Sequence, residues 1–557
     1  MLHALRQKLE KIISQCVQSQ HPSLDSCPPV VLEVPNDPKH GDWASTIALQ
    51  LAKPLRENPM TLAARLLPVI QKEVTGGPLQ SEISDIQVKK PGFINFFISD
   101  QGHYHALETI LKEKKDYGRM NLGSGLKVQI EFVSANPTGP LSVAHARQAA
   151  VGDALAHILN FLGFVVTKEY YVNDEGRQID LLGKSLQVRA FKILGEERPF
   201  PEDGYQGEYM RDLAQEFLKA RGIKDNKQLE RVPLNDLSQF AVKALLTIIQ
   251  KELKDFGVHF DDWMYQSQVA SQKKIERQLQ SLKTKQSLYE HEGALWFQST
   301  AFGDDKDRVV KKSDGSYTYL APDIVYHKEK FERGFKKLIN IWGPDHHGYI
   351  PRIKAVVTAL GYNPDDLEVL IVQLATIYRK GKPVSMSTRK GQYISLREVM
   401  DEVGVDAARF FFLMRHIGMP LEFDLDLAKK QTPENPVYYV QYAHARICSL
   451  EANALKEAVA PKLKGFHRLK EKEELALIRQ LGSFPDILIL CYQPRDPFPL
   501  VTYLKELATG FHKFYDTHRI LNVESELAQE RLALCLGVRI VLASGLKLLG
   551  LSTPQKM

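Results

Sequence analysis

Lys127-Val128-Gln129-Ile130-Glu131-Phe132-Val133-Ser134-Ala135-Asn136-Pro137-Thr138-Gly139-Pro140-Leu141-Ser142-Val143-Ala144-His145-Ala146-Arg147 changes character twice within one stretch. Val128-Gln129-Ile130-Glu131-Phe132-Val133, rich in β-branched and aromatic residues, reads as a strand. Asn136, Pro137, Gly139 and Pro140 form a loop, and a helix is expected from about Val143 to Phe161. Phe164-Val165-Val166 through Tyr170-Tyr171-Val172 supplies the next strand. A β-loop-α-β order of this kind begins a parallel, doubly wound sheet, whose ligands sit outside the carboxyl ends of the strands. The helix N-terminus then points unpaired N–H groups and a positive dipole end into that mouth. Ser142 is placed to cap the helix, and His145 lies one turn in, facing the mouth. Neither G-x-G-x-x-G nor G-x-x-x-x-G-K-[ST] occurs here, which excludes a dinucleotide fingerprint and a P-loop.

The rest of the chain is arranged around this unit. Its 557 residues exceed one ordinary domain, and 44% hydrophobic with 25% charged residues is globular composition. A net charge of +6 tolerates a polyanionic partner without demanding one. Five scattered cysteines with no C-x-x-C argue against a zinc site or a disulfide framework and fit a reducing cytoplasm. No apolar run long enough to span a membrane is expected, and Met1–Gln15 reads as an amphipathic helix of the mature protein. Residues 1–110 are expected as an α+β unit: a strand at Val30–Leu32, helices at Trp43–Lys53 and Thr61–Lys72, strands at Ile86–Val88 and Phe93–Phe97, and a linker over Lys112–Gly125. A catalytic unit is assigned to 120–423, interrupted by a largely helical, charged insertion at about 177–298. Sheet segments are expected to resume at Thr318–Leu320, Leu338–Trp342 and Leu370–Val372, which puts Asp323 just after a strand. From Leu396 onward the pattern is almost all helical, giving an all-α unit at 424–557.

The quoted run resembles the first signature of class I aminoacyl-tRNA synthetases, and most closely that of the arginyl-tRNA synthetases of bacterial type. Further stretches are similar to blocks of that family, in the family's order and over essentially the whole chain. They include His40-Gly41-Asp42, Tyr171-Val172-Asn173-Asp174, Gly293–Phe297, Ser313–Tyr319, Trp342-Gly343-Pro344-Asp345-His346-His347-Gly348 and Asn435–Arg446. The resemblance implies a Rossmann-like catalytic domain, ATP arriving with Mg²⁺ as a substrate complex, no tightly bound cofactor, and L-arginine and tRNA(Arg) as the other substrates. It implies an arginine site formed by Glu131, Ser134, Ala135, Asn136, His145, Tyr319 and Asp323, with His347 and Gln373 as further polar walls. A guanidinium, with its planar fork of donors, matches two carboxylates. ATP contacts are implied at Pro137, Thr138, Gly139, Ser142 and His145, and at Met386, Ser387, Thr388 and Arg389. Catalytic roles in charge stabilisation are assigned to Ser142, His145, Ser387 and Arg389.

Two departures stand out. Ser142 occupies a place where the family has His, with Ala144 where Gly is usual, and Ser385-Met386-Ser387-Thr388-Arg389 replaces both lysines of the second signature. Arg379, Lys380, Lys382 and Lys390 are nearby sources of positive charge. The departures keep open a second reading, a synthetase-derived protein that binds tRNA or arginine without ligating them. His346-His347 beside Asp345 lacks a third ligand at tetrahedral spacing, so no protein-bound metal is expected. Lys462, Lys464, His467, Arg468, Lys470 and Lys472 form a basic run, and Tyr438, Tyr439, Tyr442 and Arg446 put aromatics beside a cation, a pattern suited to RNA. A monomer with no membrane attachment is expected.

Overall fold

The computed structural model describes the chain apart from residues 1, 23, 25–26, 36, 78 and 385–392. At its centre lies a parallel sheet of five strands: β1 (Lys127–Glu131), β2 (Val165–Val172), β3 (Asp262–Tyr265), β4 (Lys337–Trp342) and β5 (Leu367–Ile371), in the order β5-β4-β1-β2-β3. The order reverses between β1 and β4, which opens a crevice at their carboxyl ends. Every residue of β1 after Lys127 is buried, as a strand covered on both faces requires. Helix α1 (Val143–Phe161) is buried nearly all round. Gly152 is needed there, because a Cβ would lie 2.3 Å from the Phe132 ring.

The helical insertion is shorter than expected. Helices Arg177–Ile193, Tyr209–Arg221, Asn226–Glu230 and Leu234–Asp255 form the crossover, but Asp262–Tyr265 returns to the central sheet. This short strand is held by Asp261, which accepts from the Lys168 N–H, and by Trp263 stacked on Tyr170 at 4.3 Å. Leu288–His291, Ala294–Phe297 and Arg308–Lys311 then form a separate antiparallel sheet. Thr318–Leu320 is not a strand: Leu320 opens helix α2 (Leu320–Glu332). Pro322 sits in its first turn, where no N–H is needed.

In the N-terminal unit, Trp43–Ser45 is a strand paired with Ile94–Phe96, and helix Ile47–Leu55 follows it. All three strand residues are buried, which overrides the helical reading of Trp43–Lys53. The stretch expected as a linker begins inside helix Asp100–Glu113. That helix packs on the C-terminal helices, with the Tyr104 hydroxyl donating to Leu469 O and, just beyond it, Tyr117 to Leu481 O. The C-terminal part is built from helices Pro436–Lys456, Lys472–Gly482, Phe484–Tyr492, Phe498–Thr517 and Ser525–Leu548. Among the described residues, one stretch, Lys472–Tyr492, is by length and composition apolar enough to cross a membrane, although Arg479 and Asp486 interrupt it. In the fold it is two successive helices, with Leu477, Ile478, Leu481, Phe484 and Leu488 buried in the helical core.

Candidate active site

The backbone leaves β1 through two left-handed residues, Val133 (φ 66°) and Ser134 (φ 37°). For a β-branched residue this is an outlier costing about 1–2 kcal/mol. The turn is held from β2: Ser134 Oγ accepts from the Tyr171 N–H at 3.1 Å, and the Tyr170 hydroxyl donates to Ala135 O at 2.8 Å. The chain thereby presents Asn136 to the crevice, where its amide donates to Gln178 Oε1. Beyond it, Tyr209 donates to Thr138 O and Tyr393 to Pro140 O, clamping the loop around Gly139.

Ser142 is the N-cap of α1, and His145 folds back so that its Nδ1 accepts from the Ser142 N–H at 3.2 Å. That bond places the proton of the neutral ring on Nε2, leaving a donor for the cavity. Burial pushes the His145 pKa down to about 4, so the ring is neutral at physiological pH.

Two cavities adjoin here. The larger, about 620 Å³, is lined by Ala135, Asn136, Thr138, Gly139, Ser142 and His145 together with Tyr205, Tyr209, Tyr319 and Tyr393. The smaller, about 400 Å³, contains Glu131, Asp323, His327, Asn340, Trp342 and Tyr349. Asn136, Gln178 and Tyr319 belong to both. Among the described residues, Glu131 and Asp323 are the only carboxylates lining the smaller one. Asp323 lies in the first turn of α2 and accepts from the Tyr349 hydroxyl at 2.5 Å. Burial pushes its pKa up to about 6, and the Glu131 charge adds to the rise. Burial also pulls the Glu131 pKa upward, but Lys330, 2.5 Å away, outweighs it and holds that carboxyl below its ordinary value. The crevice can therefore hold a cationic side chain in one compartment and a phosphate chain at the helix terminus in the next.

Residues 106–412 match the family model "tRNA synthetases class I (R), catalytic domain", and residues 3–98 match "Arginyl tRNA synthetase N terminal domain". The chain is 43% identical to an arginine–tRNA ligase of Geobacillus kaustophilus over 557 residues, covering 99% of both chains. The chain belongs to the arginyl-tRNA synthetase family. Residues 440–557 match the "DALR anticodon binding domain". An arginine–tRNA ligase of Syntrophotalea carbinolica is also 43% identical over 560 residues, with 100% of both chains covered. The solved arginyl-tRNA synthetase of Thermus thermophilus shares the fold, with a TM-score of 0.77 at 22% identity over 99% of this chain and 100% of that one.

Within this family member, Glu131, Asn136, Tyr319 and Asp323 converge on the smaller cavity, and Ala135, Thr138, Gly139, Ser142 and His145 on the larger. Ser134 and Pro137 shape the loop without lining either cavity. His347 does not line them; its neighbour His346 does. Gln373 also lies outside, at the end of β5, an edge strand: its N–H donates to Ile417 O, and its carbonyl accepts from buried Arg147 at 2.6 Å. Met386, Ser387, Thr388 and Arg389, with Lys390, fall outside the described residues. Arg379 is already paired with Glu402 at 2.6 Å.

Sequence reasoning passed over His327, Lys330, Asn340 and Tyr349. The signal for the first two was present: Asp323, His327 and Lys330 have i, i+4, i+7 spacing, but only once α2 is recognised as a helix. Three of the six residues of the basic run are paired with acids: Lys462 meets Glu526 and Glu530, His467 meets the same two, and Arg468 meets Glu524. Tyr438, Tyr442 and His512 do form a partly exposed stack, with Arg446 over Tyr515 beside it.

Proposed function

We propose that the chain ligates L-arginine to tRNA(Arg) by way of an arginyl-adenylate. The observation that carries this reading is the pair Glu131 and Asp323 in a small buried cavity that opens onto the N-terminus of α1. The guanidinium lies between the two acids, and the arginine carboxylate reaches toward the larger cavity. There a carboxylate oxygen attacks the α-phosphorus of ATP and diphosphate leaves; a terminal ribose hydroxyl of the tRNA then attacks the arginyl carbonyl and AMP leaves. The protein's part is positioning and stabilisation of phosphate charge by the His145 Nε2–H and the helix terminus. ATP enters as its Mg²⁺ complex, with no other cofactor. Residues 1–110 and the helical unit at 424–557 hold the tRNA, around the catalytic unit at 120–423. The protein works as a cytoplasmic monomer. The test is aminoacylation of total tRNA with each labelled amino acid in turn: arginine alone should be charged, and charging of another amino acid, or of none, sinks the reading.

A further inference from the structure

We infer that Lys330 is a specificity-determining positioning residue: an internal counter-cation that cancels one of the two carboxylates of the smaller cavity, so that the cavity accepts a side chain carrying a single positive charge. The inference rests on the reading of that cavity as the arginine pocket. Lysine is almost never fully buried unless paired, and Lys330 is buried completely. Its ammonium donates to Glu131 Oε2 at 2.5 Å and to Asn340 Oδ1 at 3.1 Å, and stands 4.3 Å from the Tyr326 ring.

From Asn340 the chain of bonds continues. The Asn340 amide donates to His327 Nε2 at 3.2 Å, which leaves the Nδ1–H of His327 to donate to Asp323 O at 2.9 Å. One hydrogen-bond chain thus runs from Glu131 through Lys330, Asn340 and His327 to the backbone of Asp323. It contains a single cation, because buried His327 has its pKa pushed down to about 3, with Lys330 adding to the fall. In the layer beneath, Glu169 is paired with Arg333, which Asp262 and Glu329 also approach at 3.6 Å, and accepts from the Tyr326 hydroxyl. Arg352 stands behind Tyr349, 4.6 Å from its ring, outside the cavity lining.

The charge count follows. With Glu131 cancelled by Lys330, Asp323 supplies the one uncancelled charge, and a guanidinium neutralises it. A neutral isostere such as L-citrulline leaves a buried carboxylate unpaired. Without Lys330 the cavity holds two carboxylates for one guanidinium.

A double-mutant cycle on the full-length chain tests this, with L-arginine and L-citrulline binding read by calorimetry and the KM values for arginine and ATP read in the activation assay. Glu131→Gln leaves a buried ammonium without a counter-ion facing the incoming guanidinium, so arginine affinity should fall on the order of a hundredfold. In the wild-type background Lys330→Met frees a second carboxylate to face the guanidinium and should not weaken arginine binding. In the Glu131→Gln background the same change should recover roughly tenfold or more, because the neutral Gln–Met pair leaves Asp323 alone against the guanidinium. The KM for ATP should stay within about twofold throughout, since the phosphate compartment keeps its charges. Removal of a lysine with a merely structural role harms binding in both backgrounds. If Lys330→Met harms arginine binding in both backgrounds, the inference is overturned. Should Lys330→Met fail to fold, comparison of Glu131→Gln with the double variant still decides, because neither retains a buried carboxylate at position 131. Wild-type protein that binds another amino acid and not arginine overturns the arginine reading itself, a result visible in the first titration before any variant is made.

Discussion

Asp323 shows what a single residue carries here. Its carboxyl is held at about 6, against an ordinary 3.8, by burial and then by Glu131. Arginine keeps its charge at every working pH, so if Asp323 faces the guanidinium as proposed, only its ionised form binds arginine well. As pH falls below about 6, the arginine KM should rise about tenfold per unit, while the ATP KM stays flat. His145 and His327, at about 4 and about 3, are already neutral in that window and do not disturb it. Asp323→Asn should raise the arginine KM and abolish its pH dependence; a profile that survives the substitution assigns the titration to another group. The sign for stability is the opposite. A carboxyl whose folded pKa is raised favours the fold below its ordinary value, and loses that contribution as pH rises through the folded one. Asp323→Asn should therefore stabilise the ligand-free protein at neutral pH by on the order of 2 kcal/mol, with the gain vanishing near pH 4 in thermal melts. Glu131 was legible as an acid at a strand end, whereas Asp323 was singled out on the same ground although the segment before it leads into helix α2 and is not a strand. Lys330 was not legible, because its role depends on a helix that the sequence pattern disguised as a strand.

At the scale of elements, α1 and β1 were readable because their signals are local: apolar β-branched residues, then a Pro- and Gly-rich loop, then Ser142 as a cap. Trp43–Ser45 and Asp262–Tyr265 were not, since each is a short strand fixed by partners far along the chain. Tertiary pairing, not propensity, decides such segments. Gly152 belongs to the same class. On an exposed helix, Gly→Ala stabilises by about 1 kcal/mol. Here the added Cβ meets the Phe132 ring, in the strand-to-loop segment that carries Glu131. Gly152→Ala should therefore destabilise by about 1–3 kcal/mol in denaturant unfolding, and the sign alone decides, because an unchanged or raised midpoint means that α1 and β1 do not pack this closely.

Across the whole molecule, the N-terminal unit is fixed to the C-terminal helices at more than one point: His3 and Arg6 meet Asp486, and Asp42 meets Arg479. Asp42 Oδ2 accepts the Ile98 N–H inside the N-terminal unit, while its other oxygen lies 3.1 Å from Arg479 of helix Lys472–Gly482. The Arg479 Nε also donates to His103, a neutral ring whose pKa burial pushes down to about 3. Gly41 must precede Asp42, since a Cβ there would lie 2.6 Å from Phe96 O at φ 90°. The sequence displayed His40-Gly41-Asp42 as a family block, but not its partner, which lies hundreds of residues away and joins two units that have separate patterns. Arg479→Ala removes the cation from a half-buried carboxylate and should cost about 1–2 kcal/mol. Its larger effect should be on tRNA. If the N-terminal and helical units grip one tRNA together, loosening their junction costs affinity for tRNA alone. The tRNA KM should then rise severalfold, while the arginine and ATP KM values, set at the distant crevice, stay put. Arg479→Lys, which keeps the charge but has a single point of contact, should recover part of the loss. If arginine KM rises while tRNA KM does not, the junction acts on the catalytic unit through the helices, and the N-terminal unit has no part in holding tRNA.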